Sequence, residues 1–169
     1  VPDAVWGDDA ALCIFGGNLE NQPVAFRESF EALVEKAGRR AKFYGAYQAH
    51  EMPDLMRQVD WVVVPSIWYE HTPRVIYSAM AAGCPLIATD LGGMSEAVTH
   101  DVNGLLFQKG NVRELAGHLR RLTEDRTLLQ RLAGNTQMPK SIPTYVDELE
   151  QVYAALRARS RFAGGRAAV

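Results

Sequence analysis

Residues 61–107 of the chain read WVVVPSIWYEHTPRVIYSAMAAGCPLIATDLGGMSEAVTHDVNGLLF, and they decide the predicted fold. The stretch holds apolar runs of strand length, each bounded by proline, glycine or polar residues. These runs predict strands at Trp61–Val64, Pro85–Thr89 and Gly104–Phe107. Between the first two runs the pattern predicts a helix, Pro73–Ala82. It is predicted to end at Gly83, because glycine tolerates the positive φ that often follows a helix.

A polar loop, Ser66–His71, leads from the end of the first strand to the start of this helix. We predict that Thr72 caps the helix and that Pro73 takes the first helical position. In an open α/β sheet, ligands bind at the carboxyl ends of the strands, and a free helix N-terminus suits a phosphate group. The sequence therefore predicts an anion site formed by the backbone N–H groups of Thr72, Arg74 and Val75.

The remainder of the chain continues the alternation of strands and helices. Further strands are predicted at Ala10–Phe15 and Ala41–Tyr44. Further helices are predicted at Pro23–Ala37, His50–Val59, Val112–Thr123, Leu128–Leu132 and Pro143–Ala158. This order predicts an α/β fold with a Rossmann-like, doubly wound parallel sheet and helices on both faces. We predict one domain over residues 1–158 and a flexible tail, rich in Arg, Gly and Ala, over residues 159–169.

Composition and charge exclude several classes of partner and location. The chain has 169 residues, 47% of them hydrophobic, and a net charge of −2. This charge argues against nucleic acid or an anionic membrane as a partner. No membrane-length apolar run and no secretory signal is seen, so a cytoplasmic location is predicted. Cys13 and Cys84 are interpreted as small buried thiols, with a disulfide between them as the alternative. The histidines lack metal-ligand spacing, so no metal is predicted.

Residues 61–107 and their surroundings resemble the donor-binding half of a retaining GT-B glycosyltransferase of family 4. The matching residues are Pro65-Ser66, Glu70, Ala79-Met80-Ala81-Ala82-Gly83, Pro85, Thr89-Asp90, Gly92-Gly93, Glu96 and Asn103-Gly104-Leu105-Leu106. The resemblance covers roughly Leu12 to Leu132, and a run this long and ordered is more specific than a lone glycine motif. It implies one half of a GT-B enzyme that transfers a hexose from a nucleotide diphosphate sugar to an acceptor hydroxyl.

The resemblance also implies a mechanism and partners. The enzymes of this family act in the cleft between this domain and an N-terminal domain, which binds a glycan, lipid or small-molecule acceptor. We therefore expect the isolated chain to be inactive. The leaving diphosphate is stabilised electrostatically and helps to deprotonate the acceptor hydroxyl on the same face of the sugar. No cofactor is implied, since the nucleotide sugar is itself the donor substrate.

By resemblance, Glu70 is the catalytic-site carboxylate, which contacts the hydroxyls of the donor sugar. A solvated loop acid is the alternative. Gly45 and Tyr47 resemble the loop that faces the nucleobase, and Gly16-Gly17 lies on the same sheet edge and permits close approach of a ligand. Tyr47 is expected either to stack on the base or simply to pack. Arg74 is expected to reach a phosphate, to pair with Glu70 or to remain solvated.

Ser78 departs from the family pattern, which has a second glutamate at this position that accepts hydrogen bonds from both ribose hydroxyls. A serine hydroxyl is shorter and has a single oxygen. The alternative function is therefore a degenerate, non-catalytic module for binding or assembly, although a neutral surface serine would also fit. A dinucleotide-dependent oxidoreductase shares the architecture, but the chain lacks the glycine fingerprint.

The family's donor domain opens with a strand ending in Gly-Arg and a loop carrying Lys-Gly, which together hold the diphosphate. No such segment precedes Ala10, and Ala10–Phe15 matches the family's second strand. The missing first strand would lie centrally, so we expect exposed strand edges, filled by residues 1–6 or by a neighbouring chain. The apolar face of the last helix is also expected to favour self-association.

Overall fold

The computed structural model describes residues 10–71 and 73–163, with the side chains of 160–163 excepted. Within these residues the strands are β1 (Leu12–Phe15), β2 (Ala41–Gly45), β3 (Val62–Val64), β4 (Leu86–Thr89) and β5 (Gly104–Phe107). The α-helices are α1 (Val24–Ala37), α2 (Met52–Met56), α3 (Arg74–Ala81), α4 (Gly93–Ala97), α5 (Val112–Glu124), α6 (Arg126–Gly134) and α7 (Ile142–Ala163). Strands and helices alternate, as predicted.

All the strand pairs in the described part of the chain are parallel, and they form two sheets. β1 pairs with β2 in one sheet, and the other has the order β3-β4-β5. The α/β class with parallel sheets flanked by helices is confirmed. Within the described residues, β1 and β3 each have a strand partner on one side only. The unpaired edges expected from a missing first strand stay a prediction. Residues 1–6, one of the expected fillers, lie outside the described residues.

The core surrounds the three-stranded sheet on both faces. Ile76, Leu86 and Met94 are fully buried in one apolar cluster, and Leu105 and Leu122 are fully buried in the other. The two clusters use side chains that alternate along β4: Leu86 and Ala88 belong to the first, Ile87 to the second. Such alternation is what a strand covered on both faces requires.

The β1-α1-β2 segment contributes no fully buried side chain among those described. The predicted apolar face of α1 is correct in part. Phe30 packs edge-on against Phe43 with ring centroids 5.2 Å apart, whereas Phe26 and Leu33 are 53% and 64% exposed. Sequence spacing shows which face of a helix is apolar, but it does not supply the surface that covers it.

Several local predictions need correction. Pro73 is the N-cap of α3 in an extended conformation and not its first helical residue. The helix predicted at His50–Val59 is a 3₁₀ turn, Ala49–Glu51, followed by the short α2. Cys13 is exposed, because it lies on the outer face of β1, while Cys84 is buried; both are free thiols.

Residues 138–169 form a second compact unit, separate from residues 1–137. Its described part is dominated by α7, which continues to Ala163, four residues past the start of the predicted tail at Arg159. Along α7, Ile142 is 80% exposed and Tyr153 is 57% exposed. The self-association expected from this apolar face stays a prediction. No helix in the described residues is long and apolar enough to cross a bilayer.

Candidate functional site

The loop between β3 and α3 places Glu70 beyond the carboxyl end of β3. Val64, the last residue of β3, is buried, and the chain then leaves the sheet at Pro65, which cannot donate a ladder hydrogen bond. The hydroxyl of Ser66 donates a hydrogen bond of 2.6 Å to Oε1 of Glu70. Glu70 itself is exposed, and among the described residues only Oε1 of its carboxylate has a hydrogen-bond donor.

The turn after β4 holds the backbone of Glu70. The N–H of Gly93 donates to the carbonyl oxygen of Glu70 at 3.1 Å. Gly92 has φ +53° and ψ −136°, a conformation that L side chains rarely adopt. A Cβ at Gly92 would lie 3.0 Å from the same carbonyl oxygen. The carboxyl ends of β3 and β4 therefore meet at Glu70.

The N-terminus of α3 begins four residues after Glu70. The amides of Arg74 and Val75 lie in its first turn, where a helix provides no acceptor of its own. Together with the helix dipole, such amides favour an anion. Thr72, the third residue of the predicted phosphate site, lies outside the described residues. Arg74 is exposed, and no ion pair joins it to Glu70 in the described part of the chain.

The side chain of Ser78 faces its own helix. Its hydroxyl donates a hydrogen bond of 3.2 Å to the carbonyl oxygen of Arg74, one turn earlier. This is the usual local bond of a serine inside a helix. The hydroxyl proton is therefore engaged, and the residue offers at most one oxygen to a ligand.

Gly16, Gly17, Gly45 and Tyr47 lie together at the carboxyl ends of β1 and β2. The N–H of Gly16 donates to the carbonyl oxygen of Gly45 at 2.9 Å, and Gly45 has φ +76°. The ring of Tyr47 packs edge-on against Phe15, with centroids 6.4 Å apart. This contact agrees with the packing alternative for Tyr47 and leaves its predicted stacking on a base untested.

Two other residues of the matching stretch have a structural role. The side chain of Asn103 accepts a hydrogen bond from the Thr99 amide at 2.7 Å and donates one to the Ala97 carbonyl at 3.3 Å. A Cβ on Gly104 would lie 2.6 Å from the carbonyl oxygen of Leu86, so only glycine fits beside β4. These residues shape the start of β5.

A cavity of about 400 Å³ lies at the opposite ends of the strands, where β3 and β4 begin. Its lining includes Asp60, Cys84, Pro85, Arg126 and Leu129. Burial, reinforced by the negative charge of Asp60, raises the pKa of the Cys84 thiol. We do not place the functional site here, because the free helix amides and the Glu70 carboxylate are at the other end of the strands.

Sequence reasoning did not identify Ser66 as a site residue, although it lies in the matching stretch. A loop serine carries no periodic signal, and its contact with Glu70 depends on how the loop folds. The part of the chain that the structure describes holds no group of three or more His, Cys, Asp or Glu residues that could bind a metal ion.

Comparison with known proteins adds independent information. The sequence profile of a family described as Glycosyl transferases group 1 matches residues 4–138. A putative glycosyltransferase of Bacillus subtilis, YtcC, is 34% identical over 135 residues, which are 76% of this chain and 32% of that protein.

Solved structures show the same fold. The Anabaena protein Alr3699/HepE in complex with UDP-glucose superposes with a TM-score of 0.71 at 30% identity, over 79% of this chain and 36% of that one. The C-terminal domain of a glycosyl transferase group 1 family protein from Francisella tularensis, LpcC, has a TM-score of 0.64 at 24% identity. That match covers 79% of this chain and 85% of that domain. The chain thus spans about a third of the length of YtcC and of Alr3699/HepE.

Proposed function

The chain belongs to the glycosyl transferases group 1 family, and on that premise we propose that it is the donor-binding domain of a retaining, nucleotide-sugar-dependent glycosyltransferase. The donor is a nucleotide diphosphate hexose. The acceptor hydroxyl belongs to a glycan, a lipid or a small molecule bound by a separate N-terminal domain. The isolated chain then binds the donor but does not transfer the sugar.

One observation carries the proposal. The carboxylate of Glu70 is held at the carboxyl end of β3, four residues before the free amides at the start of α3. A carboxylate can accept sugar hydroxyls, and helix N-terminal amides can hold a diphosphate. The two groups therefore suit the two parts of a nucleotide sugar. The UDP-glucose complex of Alr3699/HepE, a structural neighbour at 30% identity, supports this class of ligand.

The chemistry follows from this placement. The bond between the anomeric carbon and the diphosphate oxygen breaks, and a bond to the acceptor oxygen forms on the same face of the sugar. The proton of the acceptor hydroxyl passes to the departing diphosphate. Negative charge develops on that diphosphate, so the amides of Arg74 and Val75 stabilise the transition state more than the bound donor. Glu70 orients the sugar through its hydroxyls.

A second candidate function rests on Ser78. Its side chain is shorter than that of glutamate and has one oxygen in place of two, and its proton is already donated to the Arg74 carbonyl, so it cannot replace a carboxylate that accepts both ribose hydroxyls. This favours a degenerate module that binds nucleotide weakly or serves in assembly. The two candidates differ in one measurable quantity, the affinity for a nucleotide sugar.

The test is a thermal-shift panel on the 169-residue chain with UDP, GDP, ADP and their hexose conjugates. A ligand at a hundred times its dissociation constant adds about 2.7 kcal/mol to the unfolding free energy, which is a rise of a few degrees in Tm. We expect one base to be preferred. We also expect Glu70→Ala to reduce the shift given by the sugar conjugate more than the shift given by the nucleotide alone.

The matched control is Glu31→Ala, which removes an exposed carboxylate from α1 and should leave both shifts unchanged. A chain that no nucleotide or nucleotide sugar stabilises would contradict the donor-binding function. Weak stabilisation by nucleotides alone, unaffected by Glu70→Ala, would favour the degenerate module.

A further inference from the structure

The loop that carries Glu70 is not anchored by its large side chains. Ile67 is 55% exposed, Trp68 is 73% exposed and Tyr69 is 82% exposed. Apolar burial therefore contributes little to the conformation of the loop. Whatever fixes Glu70 must be polar.

Two polar contacts fix Glu70, one on its backbone and one on its side chain. The Gly93 amide binds the carbonyl oxygen of Glu70 at 3.1 Å, which sets the position of the main chain. The Ser66 hydroxyl binds Oε1 at 2.6 Å, which selects one orientation of the carboxylate. Ser66 is half-buried and lies two residues after the end of β3, whereas Glu70 is exposed.

We propose that Ser66 is a positioning residue, which holds one oxygen of the Glu70 carboxylate and leaves the other to accept a hydroxyl of the donor sugar. This inference rests on the proposed function, in which Glu70 contacts the sugar. A serine hydroxyl has a single proton, so it can restrain only one of the two oxygens. A free glutamate side chain samples many rotamers, and the bond to Ser66 removes part of that freedom before the donor binds.

Loss of the Ser66 hydroxyl should weaken binding of the donor sugar and not binding of the nucleotide. We define the sugar gain as the dissociation constant of the free nucleotide diphosphate divided by that of its glucose conjugate. Ser66→Ala should lower the sugar gain on the order of tenfold, the size expected for a hydrogen bond to a charged group. The affinity for the nucleotide diphosphate should stay within about twofold. Ser66→Thr keeps a hydroxyl and should restore most of the sugar gain.

The experiment is isothermal titration calorimetry on the full chain, with UDP, GDP and ADP and the glucose conjugate of each. The pair that the wild-type chain binds is then measured in Ser66→Ala, Ser66→Thr, Glu70→Ala and the double variant. If Ser66 acts through Glu70, Ser66→Ala changes the sugar gain less than twofold once Glu70 is alanine, because the two effects are not additive. A general structural effect of Ser66 would persist in that background.

The matched control is Ser95→Ala, which removes a serine–carboxylate bond of the same 2.6 Å length, to Asp90. It should leave the sugar gain unchanged. Equal sugar gains in the wild-type chain and Ser66→Ala would overturn this inference but not the proposed function. So would a loss that persists in the Glu70→Ala background or that Ser95→Ala reproduces. Failure of the wild-type chain to bind any of the nucleotides or conjugates would instead overturn the proposed function, and this inference with it.

Discussion

The carbonyl oxygen of Glu70 lies 3.0 Å from the position that a Cβ on Gly92 would occupy. The two residues belong to loops that follow different strands, β3 and β4, and Gly93 joins the loops by its hydrogen bond to the same oxygen. Glycine at this position therefore has two physical reasons, the positive φ and the close approach to Glu70. Gly92 and Gly93 thus help to fix the position of the Glu70 backbone.

Gly92→Ala tests this relationship. A side chain at φ +53° and ψ −136° is strained by about 1–3 kcal/mol, and relief of the short contact must displace the Glu70 backbone. We expect a lower free energy of unfolding, measured by urea denaturation, together with weaker binding of the nucleotide sugar by calorimetry.

Gly110→Ala is the matched control for this change. Gly110 has φ +75°, but a Cβ there would meet no atom within 4 Å. It should lose stability through backbone strain alone and keep its affinity for the nucleotide sugar. Equal loss of affinity in both variants would refute a specific link between Gly92 and Glu70.

Ser78→Glu should raise the affinity for the nucleotide at least about tenfold if ribose binding is impaired in this chain. A carboxylate can accept both ribose hydroxyls, and each recovered bond is worth roughly 1 kcal/mol or more. Calorimetry with the preferred nucleotide measures the change. Ser78→Ala is the control and should bind about as the wild-type chain does, because the short serine side chain donates its proton within the helix and does not reach as far as a glutamate carboxylate would. An unchanged or lower affinity of Ser78→Glu would contradict the role assigned to this position.

A pH-dependent contribution to stability is expected from Asp101, away from the candidate site. Partial burial raises the pKa of this carboxyl, but the hydrogen bond and charge of Arg121 and the charges of His100 and Arg131 outweigh burial and lower it below 3.8. Because the pKa is lower in the folded state, the unfolded state binds more protons as the pH falls. The contribution is complete at neutral pH and is lost as the pH falls through the folded-state pKa.

Asp101→Asn removes this pH-dependent contribution to stability. The Asp101 and Arg121 side chains are each 43% exposed, so the loss at neutral pH should stay below about 1 kcal/mol. Urea unfolding at about pH 7 and about pH 3 should show a difference between variant and wild type that shrinks at the acidic pH. Asp147→Asn, at an exposed carboxylate with no ion pair among the described residues, should show no such trend. A difference that grows toward acid would refute the sign.

The fold was predictable because buried strands appear in the sequence as short runs of apolar residues. The apolar runs placed β3, β4 and β5 within a residue of their observed bounds. Gly83 has φ +72° and ends the turn after α3, as its position in the sequence indicated. At such positions the residue type is set by local conformation or by burial, and both can be recognised in the order of residues along the sequence.

The remaining features depend on contacts between distant segments. Phe26 and Leu33 have the spacing of a buried face, but both are exposed. The sequence pattern of a helix does not show whether another element covers its apolar face. The predicted start of the helix at Pro73 was wrong by one residue. Proline can adopt either a helical or an extended conformation, and Pro73 is extended. Glu70 was identified from its motif, whereas the contact with Ser66 appears only once the loop is folded.

A ¹H–¹⁵N NMR titration of the chain with UDP-glucose locates the donor site directly, because it reports binding residue by residue. If the donor site lies at the carboxyl ends of β3 and β4, the amides of Arg74, Val75 and Gly93 should shift and saturate with a single dissociation constant. The amides of Cys84 and Arg126, which line the cavity at the opposite ends of the strands, should then remain in place. Shifts confined to Cys84 and Arg126, with Arg74, Val75 and Gly93 unchanged, would contradict the donor site.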